Sequence, residues 1–209
     1  MNNLIGLIDY GAGNLSSLEN ALEILGYTVL RIESAEDWVP EITQVVLPGV
    51  GAFGEGMVSL AERNLIPPIK KLASEDGKIL GICLGAQLLM STSTEFGMTE
   101  GLGLIPGRVV QFDRELIQVP NIGWSPVHWR SIDFKTDQDR WMYFVHSYHM
   151  SPEVDEHILA SSTILNNTFV AAIEKGNIMG VQFHPEKSGD IGLAVLDRLI
   201  RRKLIGKNE

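Results

Sequence analysis

The chain has 209 residues, of which 44% are hydrophobic and 21% charged, and its formal net charge is −9 at pH 7. An acidic surplus of this size repels polyanions, so we expect no nucleic-acid partner. The apolar runs are shorter than a membrane span, and the first residues lack the pattern of a secretory signal. We therefore expect a single domain over residues 1–209, a cytoplasmic location and no membrane partner.

The first half of the chain alternates β-rich apolar runs with helical patterns. In order, the patterns predict a strand at Leu4–Asp9, a helix at Leu15–Leu25, strands at Thr28–Ile32 and Gln44–Leu47, a helix at Pro67–Glu75, a strand at Ile79–Ile82 and a helix at Leu84–Met90. This alternation is typical of an α/β fold with a doubly wound, mostly parallel sheet and helices on both faces.

The second half of the chain has shorter apolar runs, which predict an added antiparallel portion. Its candidate strands are Arg108–Phe112, Gln118–Ile122, Trp141–Val145, Ile158–Ser162 and Phe169–Glu174. The turn residues Lys175-Gly176-Asn177 lead into a further strand at Ile178–Phe183. The apolar spacing of Gly189–Leu204 indicates an amphipathic closing helix.

Cys83, the single cysteine, directly follows the predicted strand Ile79–Ile82 and lies between Gly81 and Gly85. This arrangement is typical of a nucleophile elbow, a sharp strand-to-helix turn that needs small neighbours and holds a reactive side chain clear of the sheet. N–H groups at the start of the helix favour a thiolate there. A buried structural cysteine is the alternative, but the two glycines at a strand end favour a nucleophile.

A thiol nucleophile requires a base and a group that orients the base, and the segment after the last predicted strand supplies both. His184 and Glu186 are two residues apart in extended chain, so their side chains point the same way. The Glu186 carboxylate can then fix the tautomer of the imidazole. Each residue alone is more simply a core histidine or a solvated turn residue, but together with the elbow they indicate a catalytic set.

The loop Pro48–Gly54 formally contains the spacing of a dinucleotide-binding motif. That interpretation is disfavoured, because the acids nearest to the next predicted strand, Glu75 and Asp76, come after a helix and not at the end of that strand. A backbone anion hole fits better: an N–H of Val50 or Gly51 would join that of Leu84 in holding an oxyanion. A plain glycine-rich turn is the alternative.

Gln87 lies one helical turn beyond Cys83, so it projects on the same face and is a candidate for substrate contact. His146 and His149 lie in a strand-to-loop segment without a nearby group of carboxylates, which is weak evidence for metal ligation. We expect neither a metal nor a cofactor.

Three segments together resemble the signatures of class I glutamine amidotransferases: Pro48–Gly51, Gly81–Gly85 and Phe183–Glu186. The resemblance runs the length of the chain. More narrowly, the chain is similar to the glutaminase subunits of imidazole glycerol phosphate synthase, an enzyme of histidine biosynthesis, in segments 9–15, 48–53, 123–124, 145–148 and 184–188.

The resemblance implies a reaction in which Cys83 attacks the side-chain amide of glutamine, His184 protonates the departing ammonia and Glu186 orients the histidine. A thioester is then hydrolysed to glutamate. The resemblance also implies that glutamine is held by Gln87, Glu95, Ser147 and Tyr148.

In the resembled subunits the ammonia passes to a (β/α)-barrel cyclase in a heterodimer, and we expect such a partner here. The resemblance places the contact at Asn14, Pro120, Asn121, Trp124 and Lys187. Asn121 stands where many of these subunits have histidine, and Ser125 where asparagine is usual. An alternative is therefore a related glutaminase that supplies an enzyme amidating a nucleotide-linked sugar. A stand-alone cysteine hydrolase and an inactive binding module are further alternatives.

Overall fold

The computed structural model describes residues 3–11, 13, 15–131, 134 and 140–202. The helices are α1 (Leu15–Ile24), α2 (Phe53–Glu62), α3 (Ile66–Ser74), α4 (Leu84–Leu88) and α5 (Gly189–Arg201). The strands are β1 (Leu4–Ile8), β2 (Thr28–Ile32), β3 (Gln44–Leu47), β4 (Lys78–Ile82), β5 (Met90–Ser93), β6 (Thr99–Glu100), β7 (Ile105–Gln111), β8 (Asn121–Trp129), β9 (Arg140–His146), β10 (Tyr148–Pro152), β11 (Ile158–Ile164), β12 (Asn167–Lys175) and β13 (Ile178–Val181). No helix among these residues is both long and apolar enough to span a bilayer.

The strands of the described residues form one sheet with a parallel and an antiparallel portion. The parallel portion has the order β2-β1-β3-β4-β13, and β12 continues it in the antiparallel sense. β10, β7, β5 and β6 extend one branch beyond β12, while β11, β8 and β9 form a second branch. The α/β fold with its added antiparallel portion is therefore confirmed. Because β3, β4 and β13 are parallel neighbours, the segments that follow them meet at one edge of the sheet.

Each face of the parallel portion packs against helices. Strand β4 shows the alternation: Leu80 and Ile82 join one core cluster, and Ile79 joins the other. The first cluster contains Leu18 and Leu22 of α1 with Leu196 and Leu199 of α5. The second contains Leu60 of α2, Ile69 of α3 and Leu88 of α4. Helices on both faces, as the sequence predicted, exclude water from the parallel strands.

Helix α2 was not predicted, because its glycines lower the intrinsic helix propensity. Two long-range contacts account for it. A carboxylate oxygen of Glu95 accepts a hydrogen bond from the N–H of Phe53 at 2.6 Å, at the helix start. The absence of a side chain at Gly56 lets α2 approach α4: a Cβ there would lie 3.3 Å from Leu88 and 3.4 Å from Leu84.

The predicted extent of α4 to Met90 is wrong, because the helix ends at Leu88. The segment that leads into β7 takes the carbonyl oxygens that a longer helix would use. The N–H of Leu102 donates to Leu88, and the N–H groups of Leu104 and Ile105 donate to Leu89. Met90 then begins β5, which with β6 and β10 makes three strands that were not predicted from the sequence.

The strand predicted at Gln118–Ile122 is displaced, since β8 begins only at Asn121 and runs to Trp129. Pro120 has no N–H to donate to a ladder, which explains a start after it. The closing helix ends at Arg201, with Arg202 at its cap. The rest of its predicted extent, Lys203 and Leu204, lies outside the described residues.

The packing of α2 gives a stability prediction. Leu60 is fully buried in the second core cluster, whereas Val58 on the same helix is 56% exposed. We expect Leu60→Ala to lower the free energy of unfolding by about 2–5 kcal/mol, because it leaves a cavity. Val58→Ala should change it by less than about 0.5 kcal/mol. Denaturant unfolding of both variants checks this, and equal effects would contradict the packing of α2.

Candidate active site

The nucleophile elbow joins β4 to α4 at Cys83, whose φ of 53° and ψ of −109° lie outside the ordinary regions for a residue with a side chain. Its neighbours leave no room for side chains. A Cβ at Gly85 would lie 1.8 Å from the carbonyl oxygen of Leu47, and one at Gly81 would lie 2.6 Å from the backbone of Ala86. The two glycines are therefore what allows the strained turn, and the turn presents the sulfur at the sheet edge.

His184 and Glu186 lie beside this turn. The extended chain predicted for this pair is wrong, because Pro185–Lys187 form a 3-10 helix that begins after His184. Nδ1 of His184 donates to Oε1 of Glu186 at 2.8 Å, and both side chains are only 3% exposed. The other ring nitrogen, Nε2, is buried and has no hydrogen-bond partner within the described part of the chain. The imidazole is thus held by the carboxylate on one side, and its second nitrogen is available for proton transfer.

Two opposing effects set the charge of His184. Burial alone would lower its pKa, but the interactions with Cys83 and Glu186 outweigh burial and raise the pKa from 6.5 to about 10. At neutral pH the imidazole therefore carries a proton in the presence of a thiolate. Such a cation next to sulfur stabilises the nucleophilic form of a cysteine.

The glycine-rich loop after β3 runs past Cys83, with its N–H and C=O groups arranged differently from the expected anion hole. The N–H of Leu84 donates to the carbonyl oxygen of Gly49 at 3.3 Å. The N–H of Leu84, which was expected to hold an oxyanion, is therefore already bonded to the carbonyl oxygen of Gly49. The Gly49–Val50 peptide must therefore turn before Val50 and Leu84 can both donate to one anion.

The side chain of Tyr10 holds this loop in place. Its hydroxyl donates to the carbonyl oxygen of Pro48 at 2.8 Å, and a Cβ at Gly49 would lie 2.0 Å from the same hydroxyl. Burial, and then the charge of nearby Cys83, raise the pKa of Tyr10 well above its usual value. The hydroxyl therefore stays protonated and keeps the Pro48 carbonyl in place.

A cavity of about 260 Å³ opens in front of Cys83. This volume is just below the range of pockets for drug-sized ligands and suits a small metabolite. The cavity brings together the predicted nucleophile, oxyanion and substrate-binding residues, and its wall is formed by Val50, Gly51, Cys83, Leu84, Gln87, Glu95, Pro120, Val145, His146, Ser147 and Tyr148.

Two predicted substrate contacts already have protein partners. Glu95 gives one carboxylate oxygen to the N–H of Phe53 at the start of α2. The side-chain N–H groups of Gln87 donate to the carbonyl oxygen of Tyr148 at 2.9 Å and to Oε1 of Gln182 at 3.1 Å. Both residues line the cavity, but these hydrogen bonds restrict how they can face a ligand.

Gln182 and His146 belong to the site, although no sequence pattern indicated a role in it for either residue. Gln182 is fully buried, and its Nε2 lies 3.8 Å from the sulfur of Cys83. Its position directly after β13, two residues before His184, was the available signal. His146 lines the cavity and bonds through Nε2 to Asn121 at 3.0 Å and through Nδ1 to the carbonyl oxygen of Tyr148 at 2.8 Å.

The residues predicted to meet a partner occupy different environments. Pro120 lines the cavity, and Asn121 is buried with its side chain against His146. Trp124 is 51% exposed and packs edge-to-face on Tyr143. Lys187 is exposed in the turn after His184. Asn14 lies outside the described residues.

Within the described ranges no group of three or more histidine, cysteine, aspartate or glutamate side chains could hold a metal ion. His146 and His149 each bond through Nδ1 to a backbone carbonyl oxygen. The arrangement around Cys83 is instead that of nucleophilic catalysis: a thiol at an elbow, a histidine beside it, a carboxylate behind the histidine and a small cavity in front.

Comparison with known families agrees with this geometry. A profile of the family described as "Glutamine amidotransferase class-I" matches residues 6–198. The chain belongs to the class I glutamine amidotransferases. Solved structures share the fold: a glutamine amidotransferase at a TM-score of 0.74 and 16% identity, covering 94% of this chain and 97% of that one, and PurLQS from Thermotoga maritima at a TM-score of 0.75 and 19% identity, covering 95% and 98%.

Relatives of higher sequence identity indicate a particular group within this family. The chain is 43% identical over 204 residues to "Imidazole glycerol phosphate synthase subunit HisH" of Sulfurimonas denitrificans, covering 95% of this chain and 98% of the relative. It is 44% identical over 202 residues to the same subunit of Moorella thermoacetica, covering 92% and 91%. It also matches "Imidazole glycerol phosphate synthase hisHF, chloroplastic" of Arabidopsis thaliana at 40% identity, covering 96% of this chain but 34% of the relative. The narrower resemblance is thereby confirmed.

The elbow generates a mutational prediction. We expect Gly85→Ala to lower the free energy of unfolding by about 3 kcal/mol or more, because the new methyl group would overlap the Leu47 carbonyl and the backbone must move. Gly54→Ala is the control, since a Cβ there meets only Thr99 at 3.8 Å. That change, within α2, should stabilise by about 0.5–1 kcal/mol. Thermal unfolding of both variants decides, and a stable Gly85→Ala would refute the close contact.

The buried His146 gives a pH prediction. Burial lowers its pKa from 6.5 to about 3, so between these values the unfolded chain binds a proton that the folded chain does not. The free energy of unfolding should therefore fall as the pH falls through this window. In His146→Gln the slope between about pH 6 and pH 4 should be smaller by up to about 1.4 kcal/mol per pH unit. His149, whose pKa burial also lowers, is present in both proteins and cancels. Equal slopes in denaturant titrations would contradict a neutral His146.

Proposed function

We propose that the chain is the glutaminase subunit of an imidazole glycerol phosphate synthase and supplies ammonia for histidine biosynthesis. The observation that carries the glutaminase reaction is the placement of Cys83 on a strained elbow, with the buried His184–Glu186 pair beside it and the cavity in front. The observation that favours this particular subunit is the identity of 43% over nearly the full length of a HisH relative.

In the proposed reaction the Cys83 thiolate attacks the side-chain amide carbon of glutamine. Protonated His184 gives its Nε2 proton to the departing nitrogen, which leaves as ammonia, and the acyl group stays on sulfur as a thioester. His184 then accepts a proton from water as the water attacks the thioester, and glutamate is released. Glu186 keeps the imidazole oriented throughout, since its carboxylate accepts from Nδ1.

The cavity supplies contacts for the rest of the substrate. Glu95 keeps a negative charge at the wall for the α-ammonium group of glutamine, even while one of its oxygens accepts from Phe53. Gln87, Ser147 and Tyr148 border the same space and would position the side chain. The amide carbon can then lie next to the sulfur.

The oxyanion requires a movement of the loop. As long as the Gly49 carbonyl accepts from Leu84, its oxygen faces the place where the developing negative charge needs donors. Rotation of the Gly49–Val50 peptide would replace that carbonyl with the Val50 N–H. Tyr10 holds the preceding carbonyl, so the turn can be confined to one peptide. A low rate in the isolated chain follows from this arrangement.

A partner is needed because ammonia released into neutral water becomes mostly protonated and is no longer nucleophilic. An exposed apolar face on β8 and β9 offers a docking surface: Ile122 is 60%, Trp124 51% and Trp141 52% exposed. These side chains share one face, because Ile122 and Trp124 are two apart and Trp141 pairs with Pro126 in the register. We infer that a (β/α)-barrel cyclase binds here, next to Lys187.

Hydrogen bonds connect the docking face on β8 and β9 to the backbone of His184. The N–H of His184 donates to the carbonyl oxygen of Tyr143 at 2.9 Å, and the N–H of Tyr143 donates to the hydroxyl of Ser188 at 3.0 Å. That hydroxyl in turn donates to the carbonyl oxygen of His184 at 2.6 Å. A partner that presses on Trp124 and Tyr143 therefore acts on the backbone that positions His184.

We predict that Cys83→Ala lowers glutamine-dependent synthesis by at least about a thousandfold, because no other thiol is present to form the thioester. The complex of this variant with the cyclase subunit should still use added ammonium salts, which controls for assembly. The assay measures glutamate release and product formation with the cyclase and its nucleotide acceptor.

In the same assay the wild-type chain should release little glutamate alone and much more with cyclase and acceptor present. Full activity of the isolated chain would contradict the inactive position of the Gly49–Val50 peptide. Glutamine hydrolysis that no histidine-pathway cyclase stimulates would favour the sugar-amidating alternative.

A further inference from the structure

A continuous hydrogen-bonded chain runs through the protein from Asn121, at the start of β8, to the sulfur of Cys83. We propose that Gln182 is an additional catalytic residue, which donates an N–H hydrogen bond to the Cys83 thiolate, and that the chain from Asn121 holds its amide in the donating orientation. The proposal rests on the proposed glutaminase function, since it concerns the same nucleophile.

The carbonyl oxygen of Tyr148 fixes the donor and the acceptor of every hydrogen bond between Asn121 and Cys83, because a carbonyl oxygen can only accept. Gln87 bonds to this oxygen at 2.9 Å and therefore presents its NH₂ group there. The second hydrogen of the same NH₂ group points to the side-chain amide of Gln182 at 3.1 Å. The atom of Gln182 that receives it must be Oε1.

With Oε1 of Gln182 directed at Gln87, its NH₂ group is directed at Cys83. The distance from Nε2 to the sulfur is 3.8 Å. The side chain of Gln182 is fully buried, so water cannot compete for this donor. If the Gln182 amide were turned over, its NH₂ group would face the NH₂ group of Gln87. If the Gln87 amide were turned over as well, its oxygen would face the carbonyl oxygen of Tyr148.

The same carbonyl oxygen also fixes the donors and acceptors in the other half of the hydrogen-bonded chain, from His146 to Asn121. It accepts at 2.8 Å from Nδ1 of His146, which must therefore carry a hydrogen. Because burial lowers the pKa of His146, the ring is neutral, and its Nε2 has a lone pair. That lone pair accepts from the side-chain NH₂ of Asn121 at 3.0 Å. Asn121 thus supplies a donor that fixes the tautomer.

A donor at the sulfur has a specific effect on the nucleophile. Besides His184 and Gln182, the carbonyl oxygen of Val145 lies 3.9 Å from the sulfur, where it favours the S–H form and repels a thiolate. The N–H of Gln182 has the opposite preference. A hydrogen bond to a charged acceptor is stronger than one to a neutral acceptor, so Gln182 shifts the balance toward thiolate.

Asn121 is the first residue of the hydrogen-bonded chain, and this position lets it connect the surface of β8 to the site. Its side chain is buried against His146, while the next residue, Ile122, belongs to the exposed docking face. A change in the backbone of β8 on partner binding would therefore reach the sulfur through fixed hydrogen bonds as well as through His184.

The test uses the fact that Cys83 is the only cysteine, so alkylation by iodoacetamide reports this thiolate alone. The alkylation rate of the full chain is measured against pH for wild type, Gln182→Met and Gln182→Asn; the first variant lacks the donor and the second withdraws it. Gln44→Met is the matched control, because Gln44 bonds to Ile200 by its side-chain nitrogen far from the sulfur. The titratable groups around Cys83 stay unchanged in all variants: His184, Glu186, Tyr10, His146 and Glu95.

We expect the midpoint of the alkylation profile to rise by about one pH unit in both Gln182 variants, equivalent to about a tenfold slower alkylation at any pH well below the midpoint. It should rise in the same direction, by less, in Asn121→Leu, and stay at the wild-type value in Gln44→Met. An unchanged midpoint in either Gln182 variant that unfolds cooperatively would overturn the donor role. An unchanged midpoint in Asn121→Leu would overturn the fixed chain. Because alkylation needs neither glutamine nor a partner, these outcomes are independent of a failure to hydrolyse glutamine.

Discussion

The contact between Gly85 and the carbonyl oxygen of Leu47 constrains the whole site. With only 1.8 Å between that oxygen and a would-be Cβ, α4 lies directly on the end of β3, and the chain must reverse sharply at Cys83. The strain of a positive φ at Cys83 costs on the order of 1–3 kcal/mol and is offset by the burial of β4 between two helical layers. The loop after β3 and the segment after β13 meet the sulfur because these strands are neighbours of β4.

The two portions of the sheet have separate tasks. The parallel portion positions Cys83, the glycine-rich loop after β3 and His184, since all three follow its strands. The antiparallel portion provides the cavity wall from Val145 to Tyr148 and an exposed apolar face on β8 and β9. Backbone hydrogen bonds between His184 and Tyr143 join the two portions. The exposed apolar face is thereby attached directly to the segment that carries His184.

Two buried histidines near the sulfur have opposite protonation preferences, and their partners explain the difference. His184 faces Cys83, as a thiolate, and the Glu186 carboxylate, and the interactions with these two groups raise its pKa against the effect of burial. His146 is bonded only to neutral groups, a carbonyl oxygen and an amide, so burial lowers its pKa. The first therefore carries a proton at neutral pH beside a thiolate, whereas the second stays neutral.

The sequence by itself determined the features that depend on local spacing. The glycines around Cys83, the two-residue interval from His184 to Glu186 and the alternation of strands and helices are all readable from short segments, because the periods of strands and turns are local properties. Only the tertiary structure decided that the Gly49 carbonyl faces Leu84, that Gln182 reaches the sulfur, that Asn121 points inward and that α2 forms in spite of its glycines. Each of these depends on groups far apart in the chain, such as Glu95 at the start of α2 or Tyr148 between Gln87 and His146, and no local pattern encodes such contacts.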